Sequence, residues 1–366
     1  MGKGEVNYDY FWVPFLFWLL CYRITHNNKC VTKKHCKLLN VVMALVIFKY
    51  IIPWIYDSSI ILKASLMDGK WVVYVFIAIL WTDIFGLPSI ERMYKAGVFF
   101  AVIYIAKAVY MMVTGQLSRG GLLLEANYDG LMILIVYCFG RNVKNKKLYD
   151  LILVFATLLT FSRTGMLTLF AIWIVRASKR NILVMILVIP IMMGMAYIGI
   201  NMRGESVAHM DRFVYWEQAF VLFRDSDIMN WMFGHTPGVA LKMHIIPEFY
   251  WNVENFEDMR GLKGVFPFMF HSAYLRVAIT WGIPCAVIMT CILLLKHFRS
   301  KSESMKLLCL ITLIQSFSLS SMTIPNVSLL LFMAFLIALK QERDGNSVPD
   351  KIDRVLGTYK ANLVSR

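Results

Sequence analysis

The chain has 366 residues, of which 58% are hydrophobic and 17% charged, with a mean hydropathy of +0.60. Soluble domains run nearer about 45–50% apolar and about 25% charged, so this composition excludes one and places the chain in a membrane. The formal net charge of +15 admits nucleic acid as a partner, but in polytopic proteins lysine and arginine gather on the cytoplasmic face, and their distribution decides for that reading.

At about 20 residues per helical span, the apolar content predicts an all-α polytopic protein of about 11 (10–12) transmembrane helices with little left for a soluble domain. Apolar runs fall near 9–22, 38–56, 71–87, 97–113, 127–140, 148–161, 164–176, 181–200, 269–296, 305–322 and 326–340. Helices 1–8 then occupy residues 1–200, a large extracytoplasmic loop 201–267, helices 9–11 residues 268–340, and a cytoplasmic tail 341–366.

With the first run passing from outside to inside, 24 cations fall on one side and 11 on the other, six of those 11 in the single long loop. Short loops set orientation, so the basic side is expected in the cytoplasm and the long loop outside. None of the seven cysteines lies in that loop, and no disulfide framework is expected. His26, Cys30, His35 and Cys36 match no usual zinc spacing. The amino-terminal stretch has neither a small-residue cleavage site nor the serine or threonine that a myristoylation signal wants at Val6, so its first run is read as a retained span. In the tail, Ile352, Val355, Leu356, Tyr359 and Leu363 recur at helical spacing beside Lys351, Arg354 and Lys360, the pattern of an interfacial helix.

The loop is rich in aromatics. Phe213, Trp216, Phe220 and Phe223 fall on one helical stripe, followed by Trp231, Phe233, Phe249, Tyr250, Trp251, Phe256 and Phe266, so it is expected to lie on the membrane surface or over a cavity. His209, His235, His244 and His271 stand in the loop or at its exit, which directs the search for chemistry to the outer face.

Arg163, in Thr160-Phe161-Ser162-Arg163-Thr164-Gly165, either snorkels from a hairpin or presents its fork to an anion at headgroup depth. Arg212 either pairs with Asp211 or Glu217 or joins Arg163 on a diphosphate. Asp225-Ser226-Asp227 has the form of a metal-holding acidic pair, but follows a helix end, and no metal is expected there. His271 is either an interfacial anchor or a neutral general base. On a continuous helix Tyr274 would share its face, while Arg276 would point about 140° away and act at one remove. Lys49, Asp83 and Lys107 lie within spans, where charge is costly; a Lys107–Asp83 pair is one explanation, an electropositive cavity lining the other.

Taken in order, these pieces resemble the bacterial O-antigen polymerases and O-antigen ligases. The carrying motifs are Ser-Arg-x-Gly at 162–165, the long outer loop, Arg212 with Trp216, the Phe-Gly-x3-Gly turn at 233–238, and the His271-Ser272 pair followed by Gly282. Cys285 stands where the family commonly has a second glycine.

The resemblance implies a C-type glycosyltransferase-like membrane fold in the bacterial inner membrane, with the loop periplasmic. It implies a metal-independent enzyme without cofactor, acting on an oligosaccharide linked to undecaprenyl diphosphate. His271 would activate the acceptor hydroxyl, and Arg163 and Arg212 would grip the diphosphate; Arg276 and Tyr274 are placed with the substrate-binding residues. Polymerisation of surface polysaccharide is the leading reading. Transfer to lipid A-core by a ligase is an alternative, and transport of lipid-linked sugars another. The expected partners are the lipid-linked donor, membrane lipid and a chain-length regulator, with no nucleic acid.

Overall fold

A computed structural model describes residues 9–26, 33–115, 122, 125–140, 146–177, 211–322 and 324–344. The expected span at 181–200, His209 with the start of the loop, the tail from 345, and Val6 and Cys30 lie outside these residues. Among the described residues every regular element is helical, and the protein is consistent with a helical membrane protein.

In chain order, α1 (Asp9–His26) is followed by α2 (Lys33–Val46), which runs through a π-turn (Ile47–Ile51) into α3 (Ile52–Tyr56). Then come α4 (Leu62–Phe85), α5 (Ile90–Val113), α6 (Ala126–Tyr137), α7 (Lys146–Leu159) and α8 (Arg163–Ala177). The outer segment holds α9 (Asp211–Asp225), α10 (Ile228–Phe233) and α11 (Tyr250–Arg260), and the chain continues through α12 (Ala273–Trp281), α13 (Ile283–Arg299), α14 (Glu303–Ser316) and α15 (Pro325–Asp344).

α4 and α5, 24 residues each, are long and apolar enough to cross a bilayer, at about 36 Å by helical rise. α6 is buried along its whole length, packed among α5, α7, α8, α14 and α15. Its closest approach is to Gly97 of α5, where any side chain would collide with Val136. Around this centre, Phe17, Phe99, Val113, Ile288 and Phe298 are exposed on α1, α5 and α13, an apolar exterior that a bilayer covers. A second core, built from Tyr215, Leu222, Phe249, Phe266, Phe270 and Leu275, belongs to the outer segment and rests on Ala64 of α4.

Two details depart from the sequence reading. α4 starts well before the apolar run at 71, because Ala64, Ser65 and Asp68 are buried and a hydropathy window discards the charged turn that holds them. The run at 269–296 is two helices. They are separated by Gly282, at φ +92°, where a Cβ would strike the Met232 carbonyl, and Pro284 restarts the second.

On α9 Phe213 and Phe220 are exposed, whereas Val214, Tyr215, Gln218, Ala219 and Leu222 are buried. Those exposed rings suit headgroups and acyl chains rather than a protein core. Asp83 accepts from Arg23 at 3.1 Å, which ties α1 to α4.

The motif glycines explain how the outer segment docks. At Gly234 (φ +74°) a Cβ would collide with the Thr280 backbone, so the end of α10 and the α12–α13 break interlock through two glycines. His235 N donates to Ile279 O at 2.7 Å and completes the junction. Gly238 lies on the start of α4: a Cβ would sit 2.8 Å from Ser65 Cβ, and Ile61 N donates to its carbonyl at 2.9 Å. Lys49 Nζ, buried on the π-turn, donates to Phe233 O at 2.8 Å and closes the carboxyl end of α10.

Candidate functional site

The Ser-Arg-Thr-Gly element forms the start of α8. Ser162 caps the helix, its hydroxyl accepting from Gly165 N at 3.1 Å, and this places Arg163 in the first turn, where the helix dipole adds positive potential. The turn is tight: Phe161 has φ +49°, the one positive value among the described non-glycine residues, a strained geometry for a bulky side chain. Gly165 lets the turn close, since a Cβ there would lie 3.1 Å from Ser162 Cβ.

Helix α9 brings a second arginine to this turn. Arg212 donates to Thr164 Oγ1 at 3.4 Å, so it meets the Arg163 element rather than only its own neighbours; Glu217 is exposed. One turn along α9, Tyr215 packs edge-on against the His271 ring, 5.0 Å between centroids. The spacing of three residues puts both on one helical face, and that face joins the arginine turn to the histidine.

His271 stands in non-helical backbone ahead of α12, which starts only at Ala273 with Ser272 as its cap. The helical-wheel argument that turned Arg276 away from His271 therefore fails, because the histidine is not on the helix. Burial first, then the charges of Arg276 and Arg212, hold the His271 imidazole well below the ordinary histidine range, so it is neutral at neutral pH. Arg276 itself is paired with Asp68 of α4 at 3.7 Å. Tyr274 donates to Leu313 O at 2.9 Å and ties α12 to α14.

The segment after α14 holds these pieces together. Ser318 Oγ lies 2.8 Å from Thr164 Oγ1, and Gln315 donates to Thr164 O at 3.1 Å. Leu319 O accepts from Ala273 N at 3.0 Å, and Ser320 Oγ donates to Phe270 O at 3.1 Å. Phe317 O accepts from Trp216 Nε1 at 3.1 Å. Thus Gln315–Ser320 touches the arginine turn, α9 and the histidine segment. The sequence reading assigned this stretch to a span; its signal was the run Ser316-Phe317-Ser318-Leu319-Ser320-Ser321, too polar for a lipid-facing helix end.

The other candidates have local partners. Asp227 caps α10 by accepting from Asn230 N at 2.7 Å, and Asp225 accepts from Arg224 at 2.9 Å, so the acidic pair serves helix ends. His235 lies 3.2 Å from Ser226 Oγ; burial, then Lys49, lowers its pKa.

The apolar helices, consistent with a helical membrane protein, enclose a polar junction that bears arginines and a buried histidine. Residues 148–290 match the family model described as O-Antigen ligase, which supports a likeness to the O-antigen ligase/polymerase family, whose members are glycosyltransferase-like membrane enzymes of lipopolysaccharide and polysaccharide biosynthesis. The matched segment carries Arg163, Arg212, His271 and Arg276. It does not distinguish polymerase from ligase, and lends nothing to the transporter alternative. No curated protein matches the chain, nor does any solved structure.

Proposed function

We propose that the protein is a polysaccharide polymerase of the bacterial inner membrane. It transfers a growing glycan from undecaprenyl diphosphate to the next lipid-linked repeat unit at the periplasmic face. The observation that carries this reading is α9 itself, with Arg212 on the Ser-Arg-Thr-Gly turn and Tyr215 on His271.

Transfer breaks the bond between the anomeric carbon and the diphosphate oxygen and forms one to an acceptor hydroxyl oxygen. Negative charge grows on the departing diphosphate, and Arg163 and Arg212 stabilise it with fixed charge in a site that excludes water. Two guanidiniums supply what a divalent cation would otherwise supply, so no metal step is required. His271 takes the acceptor hydroxyl's proton. Its neutral state makes it available as a base, and the arriving diphosphate offsets the two arginines and strengthens it.

Ligation of finished chains to lipid A-core uses the same donor chemistry and is the second reading, supported by the ligase description of the matched model. Gene deletion separates them. Loss of the polysaccharide ladder with a single repeat unit still on the core is the polymerase outcome. Loss of all polysaccharide from the core with lipid-linked polymer accumulating is the ligase outcome. A chain-length regulator is the protein partner this reading brings with it.

A further inference from the structure

Outside the matched segment, α4 delivers a carboxylate to the site. Asp68 and Arg276 form an ion pair with side chains 2% and 11% exposed, through one contact of 3.7 Å. Asp68 also accepts from the Gly238 and Phe268 backbone, and the buried hydroxyls of Tyr50 and Tyr128 lie within electrostatic reach of Arg276. Tyr128 also feels Arg212 and sits beside the Ser320 backbone, the segment that braces Phe270. Gly69, next along α4 from Asp68, packs on the Tyr50 ring, where a Cβ would lie 3.2 Å away. This nest is thus continuous with the arginine and histidine junction.

A buried ion pair must recover the desolvation of both charges, and apolar residues of the same volume are often neutral or more stabilising. Docking of the loop on α4 is already provided by the Gly238 contact with Ser65 and the Ile61–Gly238 hydrogen bond. So costly a pair calls for an explanation, and its arginine acts electrostatically on His271.

We propose that Asp68 is a positioning residue for glycan transfer: its carboxylate fixes the Arg276 guanidinium beside His271, so that Arg276 joins Arg212 in facing the diphosphate as it leaves. The inference rests on the polymerase or ligase reading of the site. It assigns Arg276 a direct electrostatic task, and gives α4 a part in the reaction.

The test uses the full-length chain in lipid vesicles with a lipid-linked oligosaccharide as substrate. Asp68→Asn is expected to lower kcat on the order of tenfold with little change in donor KM, and Asp68→Glu to recover part of the loss. The paired variant Asp68→Asn/Arg276→Gln removes both charges together; it is expected to melt like the native chain and remain slow. Native kcat in that paired variant would show a purely structural pair and overturn the proposal. Should the paired variant fail to fold, Arg276→Lys keeps the buried charge and loses the planar fork; slow turnover supports the proposal, and native turnover overturns it. Arg163→Ala and His271→Ala are run alongside. If they too transfer normally, the site reading itself has failed; if they are inactive and the paired variant is native, only the role of Asp68 has.

Discussion

Arg212 of α9 donates to the Thr164 hydroxyl at 3.4 Å, across 48 residues of sequence. Thr164 follows Arg163 directly, so this bond fixes the spacing of two arginines that no local element relates. The same hydroxyl lies 2.8 Å from Ser318 Oγ. Thr164→Val keeps the side-chain volume and deletes both contacts. It is expected to cost roughly 1–2 kcal/mol of stability and to slow transfer less than Arg212→Ala does, with ladder density and thermal melting read on the same preparations.

The pH dependence of transfer reports on His271. The imidazole is pushed down by burial and by Arg276 and Arg212, so it stays neutral below the ordinary histidine range near about 6.5. The acid limb of kcat/KM, which belongs to the free protein, is therefore expected below that range. Bound diphosphate offsets the arginines and raises the imidazole, so the acid limb of kcat should lie at higher pH. Coincident limbs would mean that the diphosphate does not bind among these charges.

Gly282→Ala tests the interlock between the loop and the broken span. With φ +92° and the Met232 carbonyl in the way, the added methyl brings backbone strain of about 1–3 kcal/mol plus a steric clash. Lower melting temperature and faster proteolysis at the exposed Lys242 are expected, while Cys285→Ala, exposed on α13, should leave both near native.

Lys49→Met probes the other side of that junction. It deletes the bond from Nζ to Phe233 O and leaves a carbonyl unsatisfied, a cost of about 1–3 kcal/mol. The loss should appear in loop protection from protease before it appears in the melting of the helical bundle.

Much of the site was legible in the sequence because its parts are short motifs with local physics. Ser162 caps, Gly165 closes the turn, and Gly234, Gly238 and Gly282 stand where backbone meets backbone. What escaped was long-range. Asp68 falls outside the apolar run that begins at 71, and its partner Arg276 is distant in sequence. The helix wheel for Arg276 failed because Ser272, which had no reason to be read as a cap, starts α12 after His271. On α9 a face exposed to lipid is as apolar as a core, so hydrophobicity alone does not say which side is in.

The central claim is that Arg163, Arg212 and His271 transfer glycan from a diphosphate carrier, and transfer by the purified protein in vesicles tests it most directly. Given lipid-linked repeat units, the native chain is expected to lengthen glycan and release carrier diphosphate, unaffected by chelator, and His271→Ala and Arg163→Ala to do neither while folded and inserted. Normal lengthening by either variant would contradict the account.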